Sequence, residues 1–181
     1  MSRKRFSLVA TVSVALAMCL GAAPVGAKAP SSTTGSGDIV VLGTMPGSFT
    51  YEAIAESTTV GKGSLHFVLL FQGLHVEFEG YVTCVTFDAA TNRAWVGGVI
   101  TANRSVHPSY TTERTQVGHD IWFRVVDYGE GSTEPDDRTT FVGFEGDRDI
   151  PTSAAYCALQ PWVAGDVSTW PVVEGNLQVR P

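Results

Sequence analysis

The run from His66 to Glu79 alternates apolar and polar residues about the pair Gln72-Gly73, and it constrains the fold more than any other stretch. With Gln72 and Gly73 as a two-residue loop, Phe71 faces Leu74, Leu69 faces Val76 and Phe67 faces Phe78. The opposite face then pairs Leu70 with His75, Val68 with Glu77 and His66 with Glu79. Side chains on a strand alternate with a period of two, so a slip of one residue would mix the two faces. The register is therefore well specified, and one face belongs on a core.

The same punctuation recurs along the chain. From Ile39 onward no segment carries 3.6-residue periodicity, and short alternating runs are separated by glycines. Strands are expected near 39–44, 48–57, 63–71, 74–87, 93–101, 119–127, 138–145 and 176–180. This is an all-β pattern: an antiparallel meander closing into a small up-and-down barrel, with a two-sheet sandwich as the alternative. Closure is preferred because it removes exposed strand edges. Gly97-Gly98 inside one strand marks a bulge or a sharp bend, which is how a sheet curls. Continuing the hairpin alternation puts Gly80, Val82 and Cys84 inward, with Tyr81, Thr83 and Val85 on the other face.

Two segments interrupt the meander. Residues 102–118 are polar and contain Pro108, so a long surface loop is expected. Residues 149–175 hold three prolines together with Tyr156, Cys157, Trp162 and Trp170, which suggests an irregular clamp folded down as a lid over one end.

The ends of the chain point to export. Arg3-Lys4-Arg5 is followed by an apolar run over 6–20 and by the small-residue exit Val25-Gly26-Ala27, the layout of a secretory signal cut after Ala27. Lipid attachment at Cys19 is not expected, because Met18 stands where a small residue is needed. Residues 28–38, rich in Pro, Ser, Thr and Gly, read as a flexible leader, and 39–181 as a single all-β domain. Removing residues 1–27 takes the formal charge from −6 to −9, since three basic residues and no acidic ones leave. So acidic a protein is repelled by phosphate backbones and anionic lipids, which disfavours nucleic-acid and membrane partners. The exported part retains Cys84 and Cys157, an even count that suggests a disulfide in an oxidising exterior.

Chemistry is sparsely marked. The turn from Asp127 to Asp137 is the one cluster with the look of a site, and Asp127, Glu130 and Asp136 could offer oxygens to calcium. The spacing is not that of an EF-hand, and a solvated hairpin end is the preferred reading. No other cofactor is expected. His66 and His75 share the polar face of the hairpin, where cross-strand pairing is favoured over a zinc site; His107 and His119 carry no motif. Nucleophile elbows, phosphate loops and dinucleotide fingerprints are missing from the sequence. Of the four tryptophans, Trp162 and Trp170 lie in the irregular segment and are the candidates for a ligand face.

Three blocks carry a resemblance: Gly80-Tyr81-Val82-Thr83-Cys84-Val85, Asn92-Arg93-Ala94-Trp95-Val96-Gly97-Gly98, and Val126-Asp127-Tyr128-Gly129-Glu130-Gly131 with Asp136. Together with Cys157 and Gly175-Asn176-Leu177-Gln178-Val179, they resemble a pattern in small secreted, uncharacterised all-β proteins of actinobacteria. That group often has Asn where this chain has Tyr128. The resemblance implies export and an all-β fold, and brings no activity with it.

The expectation from the residues is a secreted, non-catalytic domain that binds a small apolar ligand or a cell-envelope glycan at one end of its barrel. The alternatives are a barrel enzyme of the isomerase or cyclase kind acting in a hydrophobic cup, and a structural or inhibitory module that contacts an extracellular protein. A hollow interior lined by Phe67, Leu69 and Phe78 would favour the first two, and a filled one the third.

Overall fold

The computed structural model describes residues 29–130 and 133–181; the expected export signal and Cys19 lie outside them. Among the described residues nine strands run β1 (Ser32–Val41), β2 (Met45–Ala55), β3 (Gly61–Phe71), β4 (Leu74–Asp88), β5 (Arg93–Asn103), β6 (Asp120–Val126), β7 (Arg138–Thr139), β8 (Gly143–Phe144) and β9 (Trp170–Arg180), with one α-helix, α1 (Ser153–Leu159), before the last. They form one antiparallel sheet in the order β5-β4-β3-β2-β1-β9-β7-β6-β8, and β6 also pairs with β5. Eight strands therefore close into a barrel, and β8 is an additional strand on β6. The barrel, not the sandwich, is the architecture.

The β3–β4 hairpin has the register read from the sequence, with Phe71↔Leu74, Leu69↔Val76 and Phe67↔Phe78 paired inward and His66↔Glu79 outward. Gln72 and Gly73 both take positive φ, as a primed turn requires. Inside, Phe67 and Phe123 meet edge to face at 4.9 Å, Tyr51 meets Phe123 at the same distance, and Phe49 stacks on Phe67. Phe67, Phe78 and Phe123 are fully buried, and these ring contacts pack the centre of the barrel with side chains.

Four expectations need correction. The leader expected at 28–38 is largely strand, because β1 starts at Ser32. Its composition misleads for a packing reason: buried Thr33 hydrogen-bonds the Tyr51 hydroxyl at 2.8 Å, and a Cβ on Gly35 or Gly37 would collide with Leu177 or the Glu174 carbonyl of β9. Small residues let the first and last strands approach closely enough to close the barrel.

The second correction concerns Cys84. A bulge between Val82 and Cys84 inserts one residue, so Val82 and Val85 are core while Cys84 turns outward. There it forms the disulfide with Cys157, across 73 residues of chain. The bulge faces Gly97 and Gly98, and Gly97 leaves room for the Cys84 sulfur and Ser153.

The third is the strand expected at 138–145, which is split into β7 and β8. Both pair with β6, but the register slips by one residue between them. At the slip the Thr140 hydroxyl accepts from the Arg124 N–H at 2.9 Å, replacing a ladder carbonyl.

The fourth is the lid. Segment 149–175 contains α1, capped by Thr152, and β9 starts at Trp170, ahead of the expected 176. The helix packs against the outer side of β4, β5 and β6, not over a barrel end. The end is closed from the expected surface loop instead. After β5, Arg104 and Val106 extend the pairing with β4 through Glu77 and His75, and two 3-10 turns follow, Pro108–Tyr110 and Glu113–Thr115. Tyr110 enters a ring of Phe71, Phe78, Phe141 and Phe144, with centroids 5.5–6.1 Å away.

Candidate functional site

The end of the barrel that carries the β1–β2 and β3–β4 hairpins opens into a cleft of about 400 Å³. Its floor is core, with Val41, Leu69 and Phe71 from the strand ends and Tyr110 from the plug. Its far wall is Trp162 and Trp170, so both tryptophans singled out in the sequence line the same cleft. Trp122 and Tyr156 complete that wall, stacked at 5.5 Å with an interplanar angle of 17°. Gly143 must be glycine here, because a Cβ would come 2.5 Å from the Trp122 indole nitrogen.

Two buried arginines hold the outer wall. Trp95 and Arg124 are cross-strand neighbours on the outer face of β5 and β6, and both are fully buried. Arg124 donates to the carbonyl oxygens of Trp162 and Val167, Arg93 donates to those of Val163 and Gly165, and the Trp95 indole donates to Pro161 O at 2.8 Å. A segment without regular structure thus has its carbonyls satisfied by guanidinium forks, whose fixed spread of donors suits that task. Burial pulls the Arg124 guanidinium below its ordinary pKa. The Nε atoms of Arg93 and Arg124 find no acceptor among the described residues.

Leu42, Arg148, Trp162 and Ser168 all line the cleft, and all have positive φ, between 52° and 58°. A side chain in that region costs about 1–2 kcal/mol and persists only where its surroundings hold it. These residues gather at the rim of one cleft, which sets this end apart from the rest of the barrel.

The cleft has few charged groups. The Arg148 guanidinium lies 4.8 Å from the centre of the Trp162 ring and donates to Ser168 Oγ at 3.3 Å. Asp147 is occupied, accepting from Arg114 at 2.6 Å and from the Phe144 N–H at 3.0 Å. Burial raises the pKa of the Tyr110 and Tyr156 hydroxyls, so both remain neutral phenols. Arg148, Tyr110 and Phe141 carry no sequence signal, since they come from three separate loops that only closure brings together.

Carboxylates of the acidic turn, considered for calcium, make hydrogen bonds within the protein. Asp127 accepts from the backbone N–H groups of Gly129 and Val179, and Glu130 accepts from the Asn176 amide. Asp136 is exposed. Asp127, Glu130 and Asp136 do not form a group with ligand atoms within 4.8 Å of one another. Asp137, missed in the sequence, accepts from the N–H groups of Tyr128 and Leu177 at 2.9 Å. β7 pairs with only two residues of β9, and these carboxylates satisfy donors along the rest of that seam. Burial nonetheless raises the Asp137 pKa, more than its two N–H donors lower it.

The histidines are all engaged. His107 is buried, accepts from Ser109 N and packs 4.6 Å from Phe71, while His119 meets Glu145 at 2.9 Å. His66 and His75 turn their Nε2 atoms to the two oxygens of Glu77, at 3.1 and 2.7 Å. Arg104 bridges Glu77 and Glu79 at 2.8 and 2.6 Å. Hydrogen bonds from His75, His66 and Arg104 hold the Glu77 carboxyl down at about 2, against its partial burial.

Comparison of the chain with protein-family models, curated proteins and solved structures finds no match.

Proposed function

We propose that this chain is a secreted, non-catalytic binding domain that takes a small apolar ligand in the cleft at the hairpin end of its barrel. One observation carries the reading: an aromatic-walled cleft of about 400 Å³ sits above a barrel whose centre is filled. That volume falls within the roughly 300–1,000 Å³ of small-molecule sites, which are mostly apolar with a few placed polar groups. The packed centre weighs against an interior ligand and against a hydrophobic catalytic cup. A glycan is the weaker fit, because sugar stacking needs an open indole face and Arg148 lies against Trp162. That guanidinium would instead favour a ligand with an acidic end. Asp147, the carboxylate of the lining, is already engaged by Arg114, so the cleft has little with which to move a proton. The Cys84–Cys157 bridge is compatible with an oxidising exterior.

The test uses 1-anilinonaphthalene-8-sulfonate, an apolar anion, as the probe, with near-UV circular dichroism to confirm native packing. Saturable binding to a single site is expected, weakened about tenfold in Trp162→Ala and in Trp170→Ala, in line with loss of an aromatic wall. Non-saturable binding, or unchanged affinity in both variants, would overturn the reading. Sequencing the N-terminus of protein recovered from culture medium tests export, with Lys28 expected as the first residue.

A further inference from the structure

We propose that the outer face of the β3–β4 hairpin is a binding site for a divalent transition ion of the zinc class, built on His66, Glu77 and Glu79. The site is independent of the cleft, since none of these residues lines it. One ligand atom from each of the three lies within 4.8 Å of the other two, and this is the group among the described residues that meets that condition. Donors bound at about 2.0–2.2 Å in tetrahedral geometry sit a little over 3 Å apart, so the group needs only side-chain rotation to close on an ion. The backbone beneath is already set: His66 and Glu79 are direct cross-strand partners, and Val68 opposite Glu77 continues the same outward row.

The choice of ion follows from the donors. An imidazole nitrogen with two carboxylates suits zinc and its neighbours better than calcium or magnesium, which prefer all-oxygen shells. His66 is 39% exposed and Glu79 40%, so water has room to complete the shell. His75 stands on the far oxygen of Glu77 at 2.7 Å and orients that carboxylate. No ring nitrogen of His66 or His75 other than Nε2 makes a hydrogen bond to the described protein, so both imidazoles can turn.

Arg104 gives the proposal its sharpest consequence. Its guanidinium sits on Glu77 and Glu79 together, where a bound cation would sit. It is a long side chain, 54% exposed, and can leave for solvent. Metal and Arg104 therefore compete for the same carboxylates, and removing Arg104 strengthens metal binding.

The test is calorimetric titration of zinc chloride into the untagged, chelator-stripped protein. One ion is expected per chain. His66→Ala should weaken binding by at least about tenfold, His75→Ala by less, and Arg104→Ala should tighten it severalfold, as expected for loss of a ligand, of its supporting partner and of a competitor. His119→Ala should leave the isotherm unchanged. The proposal is overturned if neither the wild type nor Arg104→Ala binds zinc, or if His66→Ala binds as the wild type does. Circular dichroism of each variant separates a lost site from a lost fold.

Discussion

The β3–β4 and β5–β6 strand pairs belong to the same barrel wall and bury the same kind of inner face, yet their outer faces have opposite fates. On β3–β4 the outward row of His66, Glu77, Glu79 and Tyr81 meets solvent. On β5–β6 the outward row of Arg93, Trp95, Trp122 and Arg124 is at most 6% exposed, covered by α1 and residues 160–169. Charge does not decide the difference, since each row contains charged residues. What decides it is what the charged group can satisfy. A guanidinium on a long apolar stem can be buried while it donates to several carbonyls of a covering segment. A carboxylate cannot, and it remains outside among histidines and Arg104.

The largest effect expected comes from cutting the covalent tie of the covered face. Replacing Cys157 with Ser, or reducing the bridge, should lower stability by about 4 kcal/mol, the loop entropy released across so long a span. Urea unfolding with and without reductant measures it, and equal midpoints would show that α1 is held by packing alone.

Arg124→Ala comes next, at about 2–3 kcal/mol, because the Trp162 and Val167 carbonyls lose their donor and Trp95 loses a packed neighbour. A loss that small surface substitutions also produce would mean that the cover is only loosely attached.

Glu77→Gln on the open face should cost about 1 kcal/mol at neutral pH, as expected for partly exposed ion pairs. Here the pH dependence carries the information. The Glu77 pKa falls from its ordinary 4.5 to about 2 in the fold, so its stabilisation is complete above pH 4.5 and lost as the pH drops towards 2. Thermal unfolding across that window should be less steep in Glu77→Gln; parallel curves would show that the His66, His75 and Arg104 contacts contribute nothing.

The smallest effect should be Tyr81→Thr, where a ring that is 50% exposed on the open face is removed. A change within about 0.5 kcal/mol is expected from denaturant midpoints. A cost comparable to that of Arg124→Ala would mean that this face is covered as well.

Much of the wall was legible beforehand. The hairpin register from Phe71↔Leu74 to His66↔Glu79 and the pairing of Cys84 with Cys157 follow from local alternation and cysteine count, while the irregularity marked by Gly97-Gly98 falls on the facing strand, as the bulge between Val82 and Cys84. The site was legible only in part. Trp162 and Trp170 stood out as aromatics in an irregular segment, but Tyr110, Phe141 and Arg148 reach the cleft from loops whose composition is ordinary. Thr33, Gly35 and Gly37 read as a leader because small polar residues look the same in a linker as at a tight strand contact. Asp127, Glu130 and Asp136 read as a possible ion site, and Asp137 is passed over, because a cluster of carboxylates does not reveal that Asp127 and Asp137 hold backbone N–H groups of β9.

By itself, then, the sequence determined the antiparallel meander, most of its strands and the inward face of the β3–β4 hairpin, because those rest on periodicity between near neighbours. Only the tertiary structure decided which end is plugged, that the clamp lies along the outer wall, and that Cys84 turns outward at a bulge. Each of these depends on one inserted residue or one long-range contact, which local patterning does not encode. The same is true of the cleft, which exists only because closure brings the hairpin tips, the plug and the clamp to one end.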